Sequence, residues 1–164
     1  MVQFVNDHQL LNRPNRFLLG VDYGVQNDDR QRFNNNFGAR ETLNLSQIER
    51  VQSVGPFLRN EWRIANKWDL VIGGRWDWLH YQVEDKFRRD GNQSGSRLVS
   101  QGSGSAGLVY HVTDQQQVFA HVATVFEAPT TTELLNNPAG KGGFNPQLNA
   151  QTSLSNEIGL RGSL

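Results

Sequence analysis

The sequence contains no cysteine, which excludes disulfide bonds, thiolate zinc sites and cysteine nucleophiles. It also lacks an excess of charge of either sign, since 16 basic and 16 acidic side chains give a formal net charge of +0. Nucleic acid is therefore not expected as a partner. No run of 18 or more apolar residues occurs, so a membrane-spanning α-helix is excluded.

Signals for enzymatic chemistry are also missing. The Gly-rich run 102–107 lacks the Lys-Ser/Thr ending of a phosphate-binding loop, and no helical pattern follows it. No Gly-x-Ser-x-Gly elbow stands between a strand and a helix, so no nucleophilic triad is visible. The four histidines show no i, i+4 spacing, and although His111 and His121 flank one predicted hairpin, a metal site is not expected. The sequence therefore predicts neither an enzyme nor a bound cofactor.

Alternation of apolar and polar residues recurs along the chain. From Phe17 to Gln26 every second residue is apolar, which predicts a strand with one apolar face. Residues 2–5 fit the stub of a preceding strand, and helical periodicity is limited to one possible short turn at 130–135. The sequence predicts an all-β fold. The five further strands are predicted at 51–64, 68–83, 105–112, 118–126 and about 152–164.

Short and long polar gaps alternate between these strands. An antiparallel up-and-down meander places alternate connections at opposite ends, so the short gaps fall at one end and the long gaps at the other. This asymmetry is typical of outer-membrane barrels, which have short periplasmic turns and longer extracellular loops. A soluble β-sandwich binding module with similar gaps is an alternative. The predicted turns are 12–15, 65–67 and 113–116, and the predicted loops are 27–46, 84–101 and 128–150.

The two faces of the predicted strands differ in chemistry. In a transmembrane barrel the charged set would face the lumen and the apolar set would face lipid. Of the four tryptophans, Trp62, Trp76 and Trp78 fit an aromatic girdle at the headgroup boundary, although a soluble sheet would use them as core. The charged set is Arg59, Glu61, Arg75, Asp77 and Glu157, and the apolar set is Phe17, Leu19, Val21, Leu58, Trp62, Ile72 and Trp76.

Several motifs, in a fixed order, resemble the barrel domain of TonB-dependent outer-membrane receptors. Residues 126–129 read Phe-Glu-Ala-Pro, and they are followed by Asn-Pro-Gln-Leu at 145–148 and Glu-Ile-Gly-Leu-Arg at 157–161. Residues 17–23 are similar to the family's Leu-Gly-Val-Asp-Tyr strand, most familiar in siderophore receptors. Residues 73–77 resemble its Gly-x-Arg-x-Asp strand.

The resemblance implies that residues 1–164 are a partial transmembrane β-barrel domain, about six to seven strands of a barrel type that closes with about 22. It implies a receptor in the outer membrane of a Gram-negative bacterium that takes up a scarce solute, with a ferric siderophore as the expected ligand. Its partners would be membrane lipid and TonB, the latter through a plug domain and TonB box that this sequence lacks. A passive channel or a barrel enzyme is the alternative. Residues 149–151 depart from the family, because Asn-Ala-Gln stands where x-Pro-Glu is usual.

The N-terminus has neither the basic nor the apolar region of a signal peptide. Because an outer-membrane protein is exported with one, the sequence is expected to be an internal piece of a longer precursor. Ligand contacts are expected on the long loops, since loops on a rigid scaffold carry recognition. Arg88 and Arg89 are candidates for attracting an anionic chelate, and Phe87 and Phe144 for stacking on its planar groups. The alternative is that all four are solvated loop residues.

Overall fold

A computed structural model describes residues 1–139 and 142–162. Seven strands form one sheet in the order of the chain, and each strand pairs antiparallel with its sequence neighbours. This confirms the predicted antiparallel meander. A 3₁₀ turn at Arg88–Asp90 and one short helix, α1, at Thr131–Leu135 complete the described structure. The strands are β1 Val2–Leu10, β2 Arg13–Asn36, β3 Ala39–Ala65, β4 Trp68–Asp85, β5 Gly95–His111, β6 Gln116–Glu127 and β7 Gln151–Gly162.

The connections lie alternately at the two ends of the sheet. The short-turn end carries the connections 11–12, 66–67 and 112–115, close to the predicted turns. The loop end carries residues 37–38, 86–94 and 128–150. None of the described helices is long and apolar enough to cross a membrane.

The prediction of a loop at 27–46 was wrong. β2 and β3 instead continue as one long hairpin that closes in a tight turn at Phe37 and Gly38, where φ is +46° and +92°. Positive φ at both central positions is the mark of a primed hairpin turn, which matches the twist of the strands. Neither face of this projecting hairpin is buried, so no apolar alternation marks it. Polar side chains bridge its strands instead, at Asn34–Thr42 (2.8 Å), Asn44–Asn34 (2.5 Å), Arg32–Asn44 (3.0 Å) and Asn36–Glu41 (2.7 Å).

The other boundaries differ less. The predicted loop 84–101 shortens to 86–94, because β5 begins at Gly95 within a stretch that has no apolar alternation. The loop 128–150 is confirmed at both ends, and α1 is a helical turn within it. Residues 140–141 of this loop, and residues 163–164 of the predicted strand 152–164, lie outside the described residues. The predicted stub at 2–5 is a full strand, β1, which pairs with β2 from Val2 to Leu10.

The strand register separates two faces. We call the face that contacts residues 128–150 the inner face and the opposite one the outer face. Arg75 lies opposite Phe57 and Ser103 on the inner face, whereas Trp76 lies opposite Gly102 on the outer face. By this register all five residues of the predicted charged set are inner, and all seven of the predicted apolar set are outer.

Large rings cover neighbouring glycines on both faces. A Cβ atom at Gly102 would lie 2.7 Å from the Trp76 ring, and one at Gly20 would lie 2.5 Å from the Phe57 ring. Any side chain at these positions would therefore displace the ring across the strand. The glycines allow wide aromatic rings to lie flat on the sheet.

The buried core is small and lies on the inner face at the loop end. Tyr81 of β4 and Val99 of β5 are 4% and 7% exposed, and they pack with Leu134 of α1, which is fully buried. This cluster fastens the connection 128–150 to the sheet. Partly buried apolar residues around it are Val51, Leu79, Phe144, Leu148 and Ala150.

Candidate functional site

The connection 128–150, here called the folded loop, begins with a capped helical turn. The backbone N–H of Glu133 donates to Thr130 Oγ1 (3.3 Å), and the backbone N–H of Thr130 donates to the Glu133 carboxylate (2.8 Å). This reciprocal pair is a capping box. Donation from the Thr130 backbone and hydroxyl holds the pKa of Glu133 below its usual range. The cap therefore weakens only as pH falls through that lowered pKa.

Side chains of the sheet hold the folded loop by its backbone. The Tyr81 hydroxyl donates to the carbonyl of Pro129 at 2.8 Å. The Arg97 guanidinium donates to the carbonyls of Asn145 and Leu148. Charge-assisted bonds of this kind are among the stronger ones in proteins. Together with the buried Leu134, these bonds hold the folded loop in a fixed position over the inner face.

The connection between β4 and β5 is ordered by one carboxylate. Asp85 Oδ1 accepts from the Phe87 backbone N–H (2.8 Å), and Asp85 Oδ2 accepts from that of Gln93 (2.9 Å). In return, the Asp85 backbone N–H donates to Ser94 Oγ (2.9 Å). A short polar connection thereby takes a defined shape without a core of its own.

A cleft of about 490 Å³ opens between the long hairpin, the 86–94 connection and α1. Arg30 links two of its walls, since Nη1 lies 2.6 Å from Thr132 Oγ1 and 3.2 Å from Glu49 Oε1. Charges of both signs and amides line the cleft, so it suits a polar ligand with both donors and acceptors. Its lining includes Arg30, Arg32, Gln47, Asp85, Phe87, Asp90, Gln93, Thr132, Glu133 and Asn136.

The four predicted ligand residues all lie at the loop end. Phe87 is half-buried and lines the cleft. Arg88 and Arg89 are exposed on the 3₁₀ turn, and Arg88 Nε donates only a long bond, of 3.5 Å, to the Asp85 carbonyl. Phe144, on the folded loop, is half-buried and packs against the Tyr81 cluster. Their role in ligand binding stays a prediction.

Sequence reasoning missed Arg30 and Arg32, because both fell inside the stretch assigned to a loop. A usable signal was present. Asp22, on the inner face, starts an even-numbered polar series that continues through Asp28 to these two arginines. Extending the period-two register past the last apolar residue, Val25, would have placed both arginines on the inner face.

Below the folded loop, an ion cluster is centred on Arg75 of the inner face. Its Nη1 lies 2.5 Å from Asp22 Oδ2 of β2, and its Nη2 lies 2.7 Å from Asp77 Oδ1. The guanidinium also lies 5.7 Å from the centre of the Phe57 ring. A depression of about 840 Å³ includes Arg75, Phe57, Ser105 and Glu157 in its lining. Within the described residues, no three His, Asp or Glu side chains are grouped to hold a metal ion.

The outer face has the opposite character. The row of paired residues that contains Trp68 and the row that contains Trp78 cross the sheet at two levels. We call the outer face between these two rows the outer band. No residue of the outer band is Asp, Glu, Lys or Arg. Apolar side chains there are exposed, for example Ile72 (41%), Trp76 (50%) and Leu154 (64%). Exposed apolar area of this extent marks an interaction surface, for a membrane or for another protein. Over the same rows the inner face carries Asp7, Arg16, Asp22, Arg59, Glu61, Arg63, Asp69, Arg75, Asp77 and Glu157.

The sequence model of a family described as TonB-dependent receptor-like, β-barrel, matches residues 2–164. The chain belongs to this family. TonB-dependent receptor barrels are outer-membrane proteins of Gram-negative bacteria, and they are receptors and transporters rather than enzymes. The resemblance noted in the sequence motifs is thereby confirmed.

Solved receptor structures share the fold. One is the siderophore receptor PiuA from Acinetobacter baumannii, with a TM-score of 0.72 and 14% identity over 96% of this chain and 28% of that one. Another is the closed form of the ferric-catecholate import receptor Fiu from E. coli K12, with a TM-score of 0.68 and 13% identity over 96% of this chain and 27% of that one. The chain thus spans less than a third of the length of either receptor.

Proposed function

We propose that this chain is part of the barrel wall of an outer-membrane receptor for TonB-dependent uptake of a scarce solute, with a ferric siderophore as the favoured ligand. The observation that carries the membrane placement is the part of the outer face between the rows of Trp68 and Trp78, which has no Asp, Glu, Lys or Arg, while the inner face carries such residues over the same rows. The plug domain, the TonB contact and the remaining strands belong, in this proposal, to the rest of the full-length protein.

The height of the outer band supports this placement. Trp68 and Trp78 are ten residues apart on β4. At about 3.4 Å per residue and a strand tilt of about 40°, they lie roughly 26 Å apart along the membrane normal, close to the apolar height of outer-membrane barrels. Aromatic side chains stand at both limits of the band on the outer face: Trp62, Trp68 and Tyr110 at one, and Tyr23, Trp76 and Trp78 at the other.

The alternative functions receive less support. A β-sandwich needs two sheets packed face to face, whereas the strands described here form a single sheet. A barrel enzyme would differ in kind from the receptors of the family and from both structural neighbours. The names of those neighbours favour a ferric siderophore over other scarce solutes.

Ligand capture is assigned to the loop end. In this proposal Arg88 and Arg89, both exposed beside the cleft, attract the anionic chelate, while Phe87 and Phe144 contribute ring surfaces. The contacts that fix the folded loop on the sheet would hold Phe144 in place. The projecting hairpin forms the third wall through Arg30 and Arg32.

The double variant Arg88→Ala, Arg89→Ala of the full-length receptor is expected to bind a ferric catecholate about tenfold more weakly at low salt. The loss of affinity should be smaller at high salt. The reason is that exposed charges act over a Debye length of about 10 Å at 0.1 M salt. Binding is measured by intrinsic fluorescence quenching at both salt concentrations.

The matched control is the pair Arg88→Lys and Arg89→Lys, which keeps both charges and should retain most of the affinity. Equal affinity of the alanine variant and the unmodified receptor at both salts would remove these arginines from the site. A receptor that neither binds the ferric chelate nor supports its uptake, before any substitution, would refute the proposed ligand.

A further inference from the structure

Two cations at the short-turn end, Arg13 and Lys67, donate hydrogen bonds to uncharged oxygen atoms. Arg13 begins β2 on the outer face, opposite Leu10, and its Nη1 donates to Asn66 Oδ1 at 3.1 Å. Lys67 follows Asn66 in the same turn, and its Nζ donates to the carbonyl of Val112 at 3.2 Å. Among residues 1–139 and 142–162, neither cation has a carboxylate within 4.0 Å.

The ion pairs of this end lie on the inner face, and a further carboxylate, that of Asp114, lies in the connection 112–115. Arg16 pairs with Asp7 at 3.8 Å, and Arg63 pairs with Asp69 at 2.8 Å, all on the inner face. His111, also on the inner face, lies 2.6 Å from Asp69. Asp7 and Asp69 thus neutralise inner cations, whereas Arg13 and Lys67 form a positive edge at the short-turn end.

Aromatic rings lie between this positive edge and the outer band. Trp68 and Tyr110 stand opposite each other on the outer face with ring centres 4.7 Å apart. Lys67 Nζ lies 6.0 Å from the centre of the Tyr110 ring. Trp62 donates its indole N–H to the carbonyl of Leu10, beside Arg13, at 3.2 Å. Amphipathic rings of this kind sit at the level of lipid headgroups.

We propose that Arg13 and Lys67 each bind headgroup phosphate of anionic glycerophospholipid in the leaflet at the short-turn end. This rests on the membrane placement proposed above. A guanidinium offers a planar pair of donors to phosphate oxygens, and an ammonium adds a compact charge. The exposed side chains of Leu10 (41%) and of Trp68 itself (37%) provide the surface for the acyl chains. Free phosphate would gain nothing from that surface.

The test uses the full-length receptor extracted in detergent with equal amounts of phosphatidylglycerol and phosphatidylethanolamine, followed by native mass spectrometry of the lipids retained. The unmodified receptor should prefer phosphatidylglycerol. The preference should fall roughly fivefold for each cation removed in the variant Arg13→Gln, Lys67→Gln. The exchange variant Arg13→Lys, Lys67→Arg keeps both charges and should keep the preference.

The control removes two cations from the opposite end, as Arg88→Gln and Arg89→Gln, and should leave the preference unchanged. Retained lipid without a preference, or an equal loss in this control, would overturn the lipid site while leaving the membrane wall intact. Displacement of the bound lipid by millimolar inorganic phosphate would assign the pair to free phosphate instead. A receptor that retains no lipid at all would contradict the membrane placement itself, and this site with it.

Discussion

Replacing Leu58 with arginine is expected to destabilise the folded receptor by about 2–4 kcal/mol in a bilayer. Leu58 is 44% exposed on the outer face and stands opposite Gly74, about midway between the rows of Trp68 and Trp78. An arginine there would have to carry its charge into hydrocarbon, or draw water and headgroups down to it. The free energy of unfolding is measured by guanidinium titration of the full-length receptor in lipid vesicles.

The matched control is Ser105→Arg, on the inner face at nearly the same height. Ser105 stands opposite Gly73 and lines the inner depression, which has room for a long side chain beside existing charges. This variant should change the unfolding free energy by less than about 1 kcal/mol. Equal costs for the two variants would mean that both faces meet the same medium, which would contradict the division into a lipid face and an inner face.

Replacing Leu134 with alanine is expected to cost about 2–5 kcal/mol in the stability of the folded loop. Leu134 is fully buried between α1 and the sheet, where it packs with Tyr81 and Val99. The cavity left behind would loosen the loop from the inner face. Hydrogen exchange of the amides in 128–150 should then accelerate, while that of the β4 amides stays slow.

The neighbouring Leu135 provides the control. It belongs to the same helical turn but is only half-buried, at the edge of the cleft. Its alanine variant should accelerate exchange much less. If Leu134→Ala left exchange in the folded loop unchanged, the loop would be held by its backbone bonds to Tyr81 and Arg97 alone, and the small core would have no anchoring role.

The strand faces could be predicted from the sequence because period-two alternation is read directly from the residues. Leu19, Leu58 and Trp76 on one side, and Arg75 and Asp77 on the other, stand as the alternation requires. The pattern is clear wherever one face meets an apolar phase and the other a polar one. Where both faces are polar, this alternation is absent and the strands could not be predicted.

The long hairpin beyond Val25 is polar on both faces, so nothing in its composition separates it from a loop. Pairing there depends on cross-strand amide and hydroxyl contacts such as that of Asn34 with Thr42. The small core could not be predicted either, because Tyr81 and Val99 lie on the face where polar residues are expected. Only the return of Leu134 over that face explains their apolar character.

The central claim is that the outer face of this sheet meets lipid, and site-directed spin labelling of β4 tests it most directly. The sequence has no cysteine, so a cysteine introduced singly at each position from 70 to 78, in a full-length receptor without other cysteines, carries a unique nitroxide label. In a bilayer, labels at the even positions should collide mainly with membrane-dissolved oxygen. Labels at the odd positions should collide mainly with a water-soluble nickel chelate. Loss of this alternation, or greater nickel accessibility at the even positions, would contradict the account.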